Sequence, residues 1–466
     1  MIADLKPYGE YKDSGLPWLG QVPAHWGTRR MKFLFHDRSE KGHPNEPLLA
    51  ATQTKGVVRK EDYGLRTVTA VNGLENLKLV EVGDFVISLR SFQGGIEVSH
   101  ARGIISPAYT VLCPRSGFDP NYFRVYFKCA DFISSLTLFV TGIREGQNID
   151  YERLSRAFIP LPPPSEQAAI VRFLDWASGR LERAIRAKRK IVALLNEQKQ
   201  AIIHRAVTRG LDPNVRLKDS GVPWLGEIPA HWEVTSLRRY WTVTDCKHLT
   251  VPFVEDGMPI ASVVDVQKFS LDLSRSKRTK PDWYNLLIEG DRKPKRGDLI
   301  YCRNASVGAC ALVDTDSDFA MGQDVCLIRS FSQNQKFLNY LLHSSFMRNQ
   351  LNQLLVGSTF KRINISEIKT LAVIVPPRLE QDSICEYLDT RIKLYDTAIS
   401  RLEREIDLLR EYRTRLVADV VTGKLDVREA AAALPDEEPL DDATASPDTD
   451  DDALDTDDLT ETEGDA

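Results

Sequence analysis

The sequence lacks any apolar run close to the roughly 20 residues that a membrane-spanning helix needs. Its first fifteen residues, MIADLKPYGEYKDSG, contain no apolar core of a signal peptide. The seven cysteines form no CxxC pair and have no recurrent spacing, which argues against a disulfide framework or a zinc cluster and is typical of reduced thiols. We therefore expect a soluble, cytoplasmic protein with no metal site.

The motifs of DNA-modifying enzymes are also absent. There is no GxxxxGK[ST] loop for the phosphates of ATP. Neither a glycine-rich cofactor loop after a strand nor an Asn/Asp-Pro-Pro-aromatic stretch indicates a methyltransferase. Glu367-Ile368-Lys369 could end a nuclease Glu-x-Lys motif, but no metal-binding aspartate precedes it on a short strand. We expect no catalytic residue and no cofactor in this chain.

An internal duplication is the main feature that is present. Lys12 to Trp26 reads KDSGLPWLGQVPAHW and Lys218 to Trp232 reads KDSGVPWLGEIPAHW, with twelve of fifteen positions identical at an offset of 206. Repeats at a fixed offset indicate repeated structural modules. This offset is the length of a domain plus a long helix. The chain therefore contains two similar modules, and we expect a pseudo-two-fold molecule.

Later landmarks recur at an offset of 214, so eight extra residues lie in the second copy between Trp232 and Gly297. Each copy has Gly-Asp before an apolar run, at 83–84 and 297–298, and prolines followed by Glu-Gln, at 163–167 and 376–381. The sequences between these landmarks differ widely. We call the repeated landmarks the frame; the segments between them do not repeat.

Each copy is predicted to form a mixed α/β domain followed by one long helix. Short apolar runs punctuated by Gly, Pro and Asn indicate strands, and Phe118–Phe139 and Asn334–Leu355 have a more helical pattern. The predicted fold class is α+β, with two similar domains and two long antiparallel helices that form a coiled coil. The predicted segments are a first domain at 1–162, a first long helix at 163–210, a second domain at 211–375, a second long helix at 376–426 and an acidic tail at 427–466.

The long helices are predicted from apolar residues at heptad spacing. Each stripe spans four heptads, and each whole helix of about 45 residues would be roughly 65 Å long. Gly210 and Gly423 are suited to end the helices. Neither stripe can be buried alone, so we expect the two helices to pack against each other rather than each on its own domain. The predicted interface comprises Leu174, Leu181, Leu195, Ile202, Leu388, Leu402, Leu409 and Leu416.

The charge distribution is uneven. The net charge of −5 includes fifteen acidic residues and no basic residue after Ala430, which leaves the rest of the chain at +10. A basic body with an acidic extension is found in nucleic-acid-binding proteins, although +10 over this length is only mildly basic. The tail has low complexity and no aromatic residue, so we expect it to be disordered. It either competes for a basic groove or serves as a solubilising extension.

Basic and amide side chains are concentrated in Gly- and Ser-rich loops of the variable segments. Arginine and lysine recognise guanine edges, asparagine and glutamine recognise adenine, and serine and lysine bind phosphates. For any one of these residues, an ordinary solvated side chain is the simpler interpretation. As a set they are the candidate DNA-binding residues: Arg90, Ser91, Gln93, Arg144, Gln147, Arg275, Lys277, Arg278, Arg303, Asn304, Ser306, Lys361 and Arg362.

The repeated PAHW stretch raises the question of a metal site. His25 and His231 lack a second nearby histidine or cysteine that would complete one. We expect packing or capping histidines beside Trp26 and Trp232.

The duplicated KDSGxPWLG and PAHW stretches, the prolines followed by Glu-Gln and the long helices resemble the DNA-specificity (S) subunit of Type I restriction–modification systems. The resemblance extends over nearly all of residues 12–426. It implies two target-recognition domains, each of which reads one half of a bipartite DNA sequence, and helices that set the gap between the halves. It also implies docking of two methyltransferase (modification) subunits and association with restriction/translocase subunits. Those partners would use S-adenosylmethionine, ATP and Mg²⁺. The acidic tail departs from the family's usual ending near Gly423.

Two alternatives remain open from the sequence. The chain could be a protein–protein scaffold that holds two partner subunits without reading bases. It could also be a self-sufficient enzyme, which would modify or cleave DNA without partners.

Overall fold

The computed structural model describes residues 5–435 except residues 17, 54, 64–72, 89–93, 142–147, 268 and 356–361. The chain separates into two compact units. The first unit comprises residues 1–187 and 405–466, and the second unit comprises residues 188–404. Each unit thus contains one part of each long helix.

The first unit begins with a run of short strands and ends its variable segment with three short helices. The strands are β1 (Tyr11–Asp13), β2 (Gln21–Pro23), β3 (Gly27–Arg30), β4 (Phe35–Arg38), β5 (Leu49–Thr52), β6 (Gly56–Arg59), β7 (Lys78–Val80), β8 (Phe85–Ile87), β9 (Glu97–Val98), β10 (Gly103–Ile105), β11 (Thr110–Pro114), β12 (Val140–Thr141), β13 (Asn148–Ile149) and β14 (Phe158–Leu161). The helices are α1 (Pro120–Tyr126), α2 (Ala130–Leu136) and α3 (Tyr151–Ser155).

The central sheet of the first unit has the strand order β4-β11-β8-β9, with antiparallel pairs throughout. Strand β14 pairs with β3, and β12 pairs with β13. The inward face of this sheet, together with α1 and α2, buries a cluster of aromatic rings that includes Phe35, Phe85, Phe123 and Phe127. The aromatic-rich stretch predicted to be helical therefore forms the core of this unit.

The first long helix, α4 (Pro164–Arg209), links the two units. The second unit then follows with β15 (Leu217–Asp219), β16 (Glu227–Pro229), β17 (Glu233–Ser236), β18 (Thr242–Asp245), β19 (Met258–Ala261), β20 (Phe269–Ser270), β21 (Arg278–Thr279), β22 (Leu299–Cys302), β23 (Cys310–Leu312), β24 (Ala320–Met321), β25 (Val325–Arg329) and β26 (Ala372–Val375). Its helices are α5 (Pro281–Ile288), α6 (Gln335–Leu342), α7 (Ser345–Leu354) and α8 (Ile365–Thr370).

The central sheet of the second unit has the order β18-β25-β22-β23-β20. A separate three-stranded sheet has the order β21-β19-β24. Its strands β19 and β21, together with α5, lie in the segment that contains the eight extra residues of this copy. Strand β26 pairs with β17 in the second unit as β14 pairs with β3 in the first. The register is the same, because the pair Ser236 and Ala372 corresponds to the pair Arg30 and Phe158. The repeated frame therefore has the same strand pairing in both copies.

The second long helix is α9 (Arg378–Val421), and a short helix, α10 (Arg428–Ala432), follows it. Both long helices match their predicted bounds within five residues. Gly210 and Gly423 follow their ends with φ of +73° and +80°, left-handed values that glycine adopts without strain. The predicted mixed fold with two long helices is confirmed.

The long helices run antiparallel in each unit. In the first unit, Arg413 Nη1 lies 2.7 Å from Glu182 Oε2. In the second unit, Lys199 Nζ pairs with Asp396 at 2.5 Å. The predicted stripe residues Leu174, Leu181, Leu388 and Leu416 are buried, whereas Leu195, Ile202, Leu402 and Leu409 are half-buried. The stripe is therefore most deeply buried where a globular domain adds to the helix contact.

The acidic tail starts later than the sequence suggested, because residues 427–435 are part of the first unit. Val427, Ala431 and Leu434 are buried. Arg172 Nη2 donates hydrogen bonds to the carbonyls of Leu434 and Pro435, at 3.0 and 3.2 Å. The boundary predicted at residue 427 is therefore wrong, because apolar side chains of α10 complete the core beneath α4.

Candidate nucleic-acid interface

Two polar loops meet in the second unit. One connects β22 to β23 and contains Asn304 and Ser306, and the other lies directly before α8 and contains Arg362. Asn304 and Arg362 form an antiparallel bridge, and Ile363 donates its N–H to the carbonyl of Arg303 at 2.9 Å. The side chains of Ser306 and Arg362 are exposed. Two loops that are far apart in sequence thus present polar groups on one surface.

Arg303 supports this surface from below. Its side chain is only 5% exposed and makes an ion pair with Asp245 at the end of β18. Burial opposes ionisation of Asp245, but the hydrogen bond from His248 and the charge of Arg303 hold its pKa below the ordinary value. The prediction that Arg303 contacts DNA directly needs correction, since its guanidinium is engaged with Asp245 and positions the loop.

Asn304 is also largely engaged within the loop. Its amide Nδ2 lies 3.3 Å from Asp324 Oδ1, and its Oδ1 accepts the N–H of Ala305 at 2.9 Å. Ala305 has a φ of +57°, a left-handed value rare for a residue with a side chain. These contacts turn the loop outward so that Ser306 lies at its exposed tip.

The basic run of the second unit lies around β21. Arg275 and Lys277 are exposed, and Lys277 Nζ lies 4.6 Å from the ring centroid of Phe253, itself 55% exposed. Arg278 is half-buried and donates from Nη1 to the carbonyl of Gly257 at 3.1 Å. Arg275 and Lys277 are therefore available for phosphate contact, while Arg278 is partly used within the sheet.

The remaining candidates, Arg90, Ser91, Gln93, Arg144, Gln147 and Lys361, lie outside the described residues. The elements on either side still give the order of the first two segments along the chain. Residues 89–93 follow β8, and residues 142–147 connect β12 to β13. At the offset of 214, these positions correspond to 303–307 and 356–361, the two loop regions around the Asn304–Arg362 bridge. The candidate segments of the two copies therefore occupy equivalent positions in the repeated sequence.

An ion pair between half-buried Lys128 and buried Glu97, which no sequence pattern indicated, lies beside residues 89–93. Lys128 Nζ donates to the carbonyls of Gln53 and Gly94, at 2.9 and 2.8 Å, and pairs with Glu97. Burial, partly offset by Lys128, raises the pKa of Glu97 to about 7. The second copy has Leu342 and Ala311 at the matching positions, so the repeat does not signal this pair.

The repeated PAHW stretch forms the same anchor in both units. His25 Nε2 and Trp26 Nε1 lie 2.8 and 2.9 Å from the carboxylate of Glu166, in the first turn of α4. His231 and Trp232 contact Glu380 in the first turn of α9, at 2.6 and 2.7 Å. We call each arrangement the Trp–Glu anchor. The two histidines, with side chains 42% and 46% exposed, thus contact the first turn of a long helix through its glutamate, and the anchor explains why Glu follows the prolines.

The glutamine after each anchor glutamate is equally structural. Gln167 accepts the backbone N–H of Asp119 at 2.8 Å and donates to the carbonyl of Pro162 at 2.7 Å. Gln381 makes the corresponding bonds to Asn334 and Pro376, at 2.9 and 2.8 Å. The Glu-Gln pair therefore attaches each long helix to its own globular domain.

Two groupings resemble catalytic or metal-binding sites. Asp245, Cys246 and His248 place three possible ligand atoms within 4.8 Å of one another. The buried guanidinium of Arg303 already neutralises Asp245, which opposes a cation at this place. Glu367 of the Glu-x-Lys stretch accepts the N–H of Asn364 at 2.7 Å in a capping box, so it stabilises the start of α8.

Among the described residues, no helix combines the length and apolarity needed to cross a membrane.

Comparison with known proteins supports the resemblance drawn from the duplication. The family described as "Type I restriction modification DNA specificity domain" matches residues 286–407. The MjaVIII specificity subunit of Methanocaldococcus jannaschii is 24% identical over 296 residues, 62% of this chain and 66% of that protein. The StySPI specificity subunit of Salmonella potsdam is 32% identical over 214 residues, 43% of this chain and 44% of that protein. The chain covers less than two thirds of each relative's length.

A solved structure shows the same fold. A chain from the work titled "Structural basis underlying complex assembly and conformational transition of the type I R-M system" superposes with a TM-score of 0.67. The match covers 87% of this chain and 99% of that chain at 16% sequence identity. The chain is thus similar to Type I restriction enzyme specificity subunits in sequence and shares its fold with a chain of such a system.

Proposed function

We propose that the chain is a non-catalytic, sequence-specific DNA-binding specificity subunit of a Type I restriction–modification complex. Each unit reads one half of a bipartite target. The observation that supports this most strongly is that two polar loops meet at Asn304 and Arg362 in the second unit, at places equivalent to the candidate loops of the first. Because the loops differ in sequence, the two half-sequences differ and the target is asymmetric.

The candidate residues fall into two roles under this proposal. Ser306 and Arg362, at the meeting point of the loops, contact base edges or the adjacent phosphates in the major groove. Arg275 and Lys277 contact phosphate and set the orientation of the duplex. The corresponding residues of the first unit are Arg90, Ser91, Gln93, Arg144 and Gln147.

We further propose that the long helices dock two methyltransferase subunits. Large apolar side chains on these helices are exposed: Ile191, Leu194 and Leu394 in the second unit and Leu408 and Tyr412 in the first. Exposed apolar clusters on a soluble protein are typical of protein–protein contacts. The partners, including restriction/translocase subunits, would supply S-adenosylmethionine, ATP and Mg²⁺, and the methyltransferase would flip the target adenine out of the duplex.

The same exposed apolar side chains support one alternative, a scaffold that holds partners without reading bases. Titration of the complete complex with a target duplex and with a base-substituted duplex of equal length separates the two. Specific recognition predicts at least a 1,000-fold preference for the target. The scaffold predicts equal affinities, both of which fall with added salt. Adenine methylation by the isolated chain with S-adenosylmethionine would instead indicate a self-sufficient enzyme.

A further inference from the structure

An exposed cationic and aromatic surface lies at the β3–β14 pair of the first unit. All four residues of β3 are exposed, and Phe33 and Phe158 are 57% and 42% exposed. Arg30 lies over the ring of Phe158 at 5.1 Å, and Lys32 lies over Phe33 at 5.3 Å. Arg29, Arg30, Phe33 and Phe158 line one open cleft. We call Arg29, Arg30, Lys32, Phe33 and Phe158 the β3 patch.

The β3 patch is not required by the repeated frame. The second unit pairs β17 with β26 in the same register, yet it has Thr235, Ser236, Arg238 and Arg239 in place of Arg29, Arg30, Lys32 and Phe33, so it keeps two cations but has no ring at these places. Ala372 replaces Phe158. Since the second unit forms the same strand pair without these rings, the shared fold does not require them. A feature present in only one copy suits a ligand present once per chain.

The β3 patch has three cations, Arg29, Arg30 and Lys32. No carboxylate of the residues that the structure describes forms an ion pair with any of them. Exposed arginines stacked on aromatic rings favour a ligand that is both acidic and apolar, because the ring provides contact area and the guanidinium provides charge. A plain polyanion would use the cations and leave both phenylalanines uncovered.

The chain itself contains a segment of that chemistry. Residues 436–466 hold fifteen acidic residues and no lysine or arginine. Three leucines, Leu440, Leu454 and Leu459, stand next to aspartates within it. The carboxylates of this segment suit the cations of the β3 patch, and its single leucines suit the phenylalanine rings between those cations.

The segment begins in the same unit as the patch. Arg172 holds the carbonyls of Leu434 and Pro435, and Trp26 packs close to Gly423, so the start of the segment and the start of β3 lie near the same anchor. Four residues of β3 span about 13 Å. Thirty-one residues that follow random-coil statistics would have an end-to-end distance of roughly 30 Å. The segment is therefore long enough to reach the patch.

We infer that residues 436–466 bind the β3 patch of their own chain, and that this contact covers the cationic surface of the first unit alone. Tethering gives the segment an effective concentration in the millimolar range, so weak individual contacts suffice. The contact is electrostatic in part and weakens with salt. The inference is independent of the proposed function, since it concerns two parts of one chain.

Carbodiimide cross-linking of the full chain tests the contact, because it joins a lysine amine directly to a touching carboxylate. Lys32 is the patch lysine, and Lys41, exposed in the same unit, is the control amine. At low salt, we expect Lys32 to cross-link to residues 436–466 at least tenfold more often than Lys41. The yield should fall at least fivefold in 0.5 M NaCl. In a mixture of isotopically labelled and unlabelled chains, the linked peptides should come from one chain.

Substitutions make the test specific. Arg29→Gln with Arg30→Gln should lower the Lys32 cross-link at least fivefold, whereas the matched pair Arg238→Gln with Arg239→Gln in the second unit should leave it unchanged. If the first pair fails to fold, the salt series and the Lys41 comparison still decide. The inference would be overturned by equal cross-linking yields at Lys32 and Lys41, or by cross-links that form only between chains. It would also be overturned if Lys32 were protected only when DNA is added.

Discussion

Trp26 donates its indole N–H to the carboxylate of Glu166 at 2.9 Å, and Trp232 makes the same bond to Glu380 at 2.7 Å. Each bond attaches the segment after a β-hairpin to the first turn of a long helix. In the first unit, Trp26 also lies against Gly423 at the end of α9, and in the second unit Trp232 lies against Gly210 at the end of α4. The most similar stretches of the two copies thus fix where each helix begins and where the other ends.

Glu166 should contribute more to stability than Glu380. Its side chain is 3% exposed and also accepts the hydroxyl of Tyr8, whereas the side chain of Glu380 is 41% exposed. Glu166→Ala leaves buried donors without a partner and should cost about 2–4 kcal/mol, against about 1 kcal/mol for Glu380→Ala. Urea unfolding followed by hydrogen exchange of each hairpin measures both, with exposed Glu386→Ala as the control. Equal losses would contradict this ranking.

Arg303 and Arg362 should separate loop support from DNA contact. Arg303→Ala removes the buried ion-pair partner of Asp245, which keeps its contact with His248. It should therefore lower both the stability of the second unit, by about 1–3 kcal/mol, and DNA affinity. Arg362→Ala should weaken DNA binding by about 1–3 kcal/mol without changing stability. Fluorescence anisotropy with a target duplex and thermal unfolding measure the two effects, and Arg238→Ala is the matched control. A loss of stability on Arg362→Ala would show that its role is structural.

The stability of the first unit should depend on Glu97. Because burial raises its pKa to about 7 from 4.5, the folded chain holds a proton that the unfolded chain has released between these values. The contribution of Glu97 to the free energy of unfolding therefore falls as the pH rises from about 4.5 to 7, and it is constant above about pH 7. Glu97→Gln should flatten the melting temperature over this range, whereas exposed Glu152→Gln should not. An unchanged pH slope in Glu97→Gln would show that Glu97 is ionised throughout.

The helix pair should set the gap between the two DNA half-sequences. Removal of residues 192–198 and 397–403 deletes one heptad from each helix and preserves the pairing of Lys199 with Asp396. Seven helical residues span about 10 Å, which corresponds to about three base pairs. We expect the preferred gap to shorten by about three base pairs in a randomised-gap selection while both half-sequences stay the same. Changed half-sequences with an unchanged gap would contradict the role of the helices.

The frame could be predicted from the sequence because its signals are local or repeated. The heptad stripes, Gly210 and Gly423 located both long helices, and the apolar runs before Pro162 and Pro376 located β14 and β26. The aromatic stretch at 118–139 indicated helix, although its division into α1 and α2 at Cys129 has no clear sequence signal.

Long-range contacts escaped the sequence analysis. The ion pairs of Arg303 with Asp245 and of Lys128 with Glu97 join residues that are far apart in sequence. Each pair occurs in one copy and has no counterpart in the other. A loop arginine that is buried has the same local sequence as one that is exposed, so Arg303 and Arg362 could not be distinguished in advance. The order of α10 was missed for a related reason, because its alanines become core residues only against α4.

The most direct measurement is selection of bound duplexes from a fully randomised DNA library by the assembled complex, with the wild-type chain and with a chain carrying Ser306→Ala and Arg362→Ala. We expect two unlike half-sequences separated by a gap of fixed length, and we expect the double substitution to relax one half while the other half and the gap stay intact. One uninterrupted sequence, or a substitution that alters both halves equally, would contradict the assignment of one half-sequence to each unit.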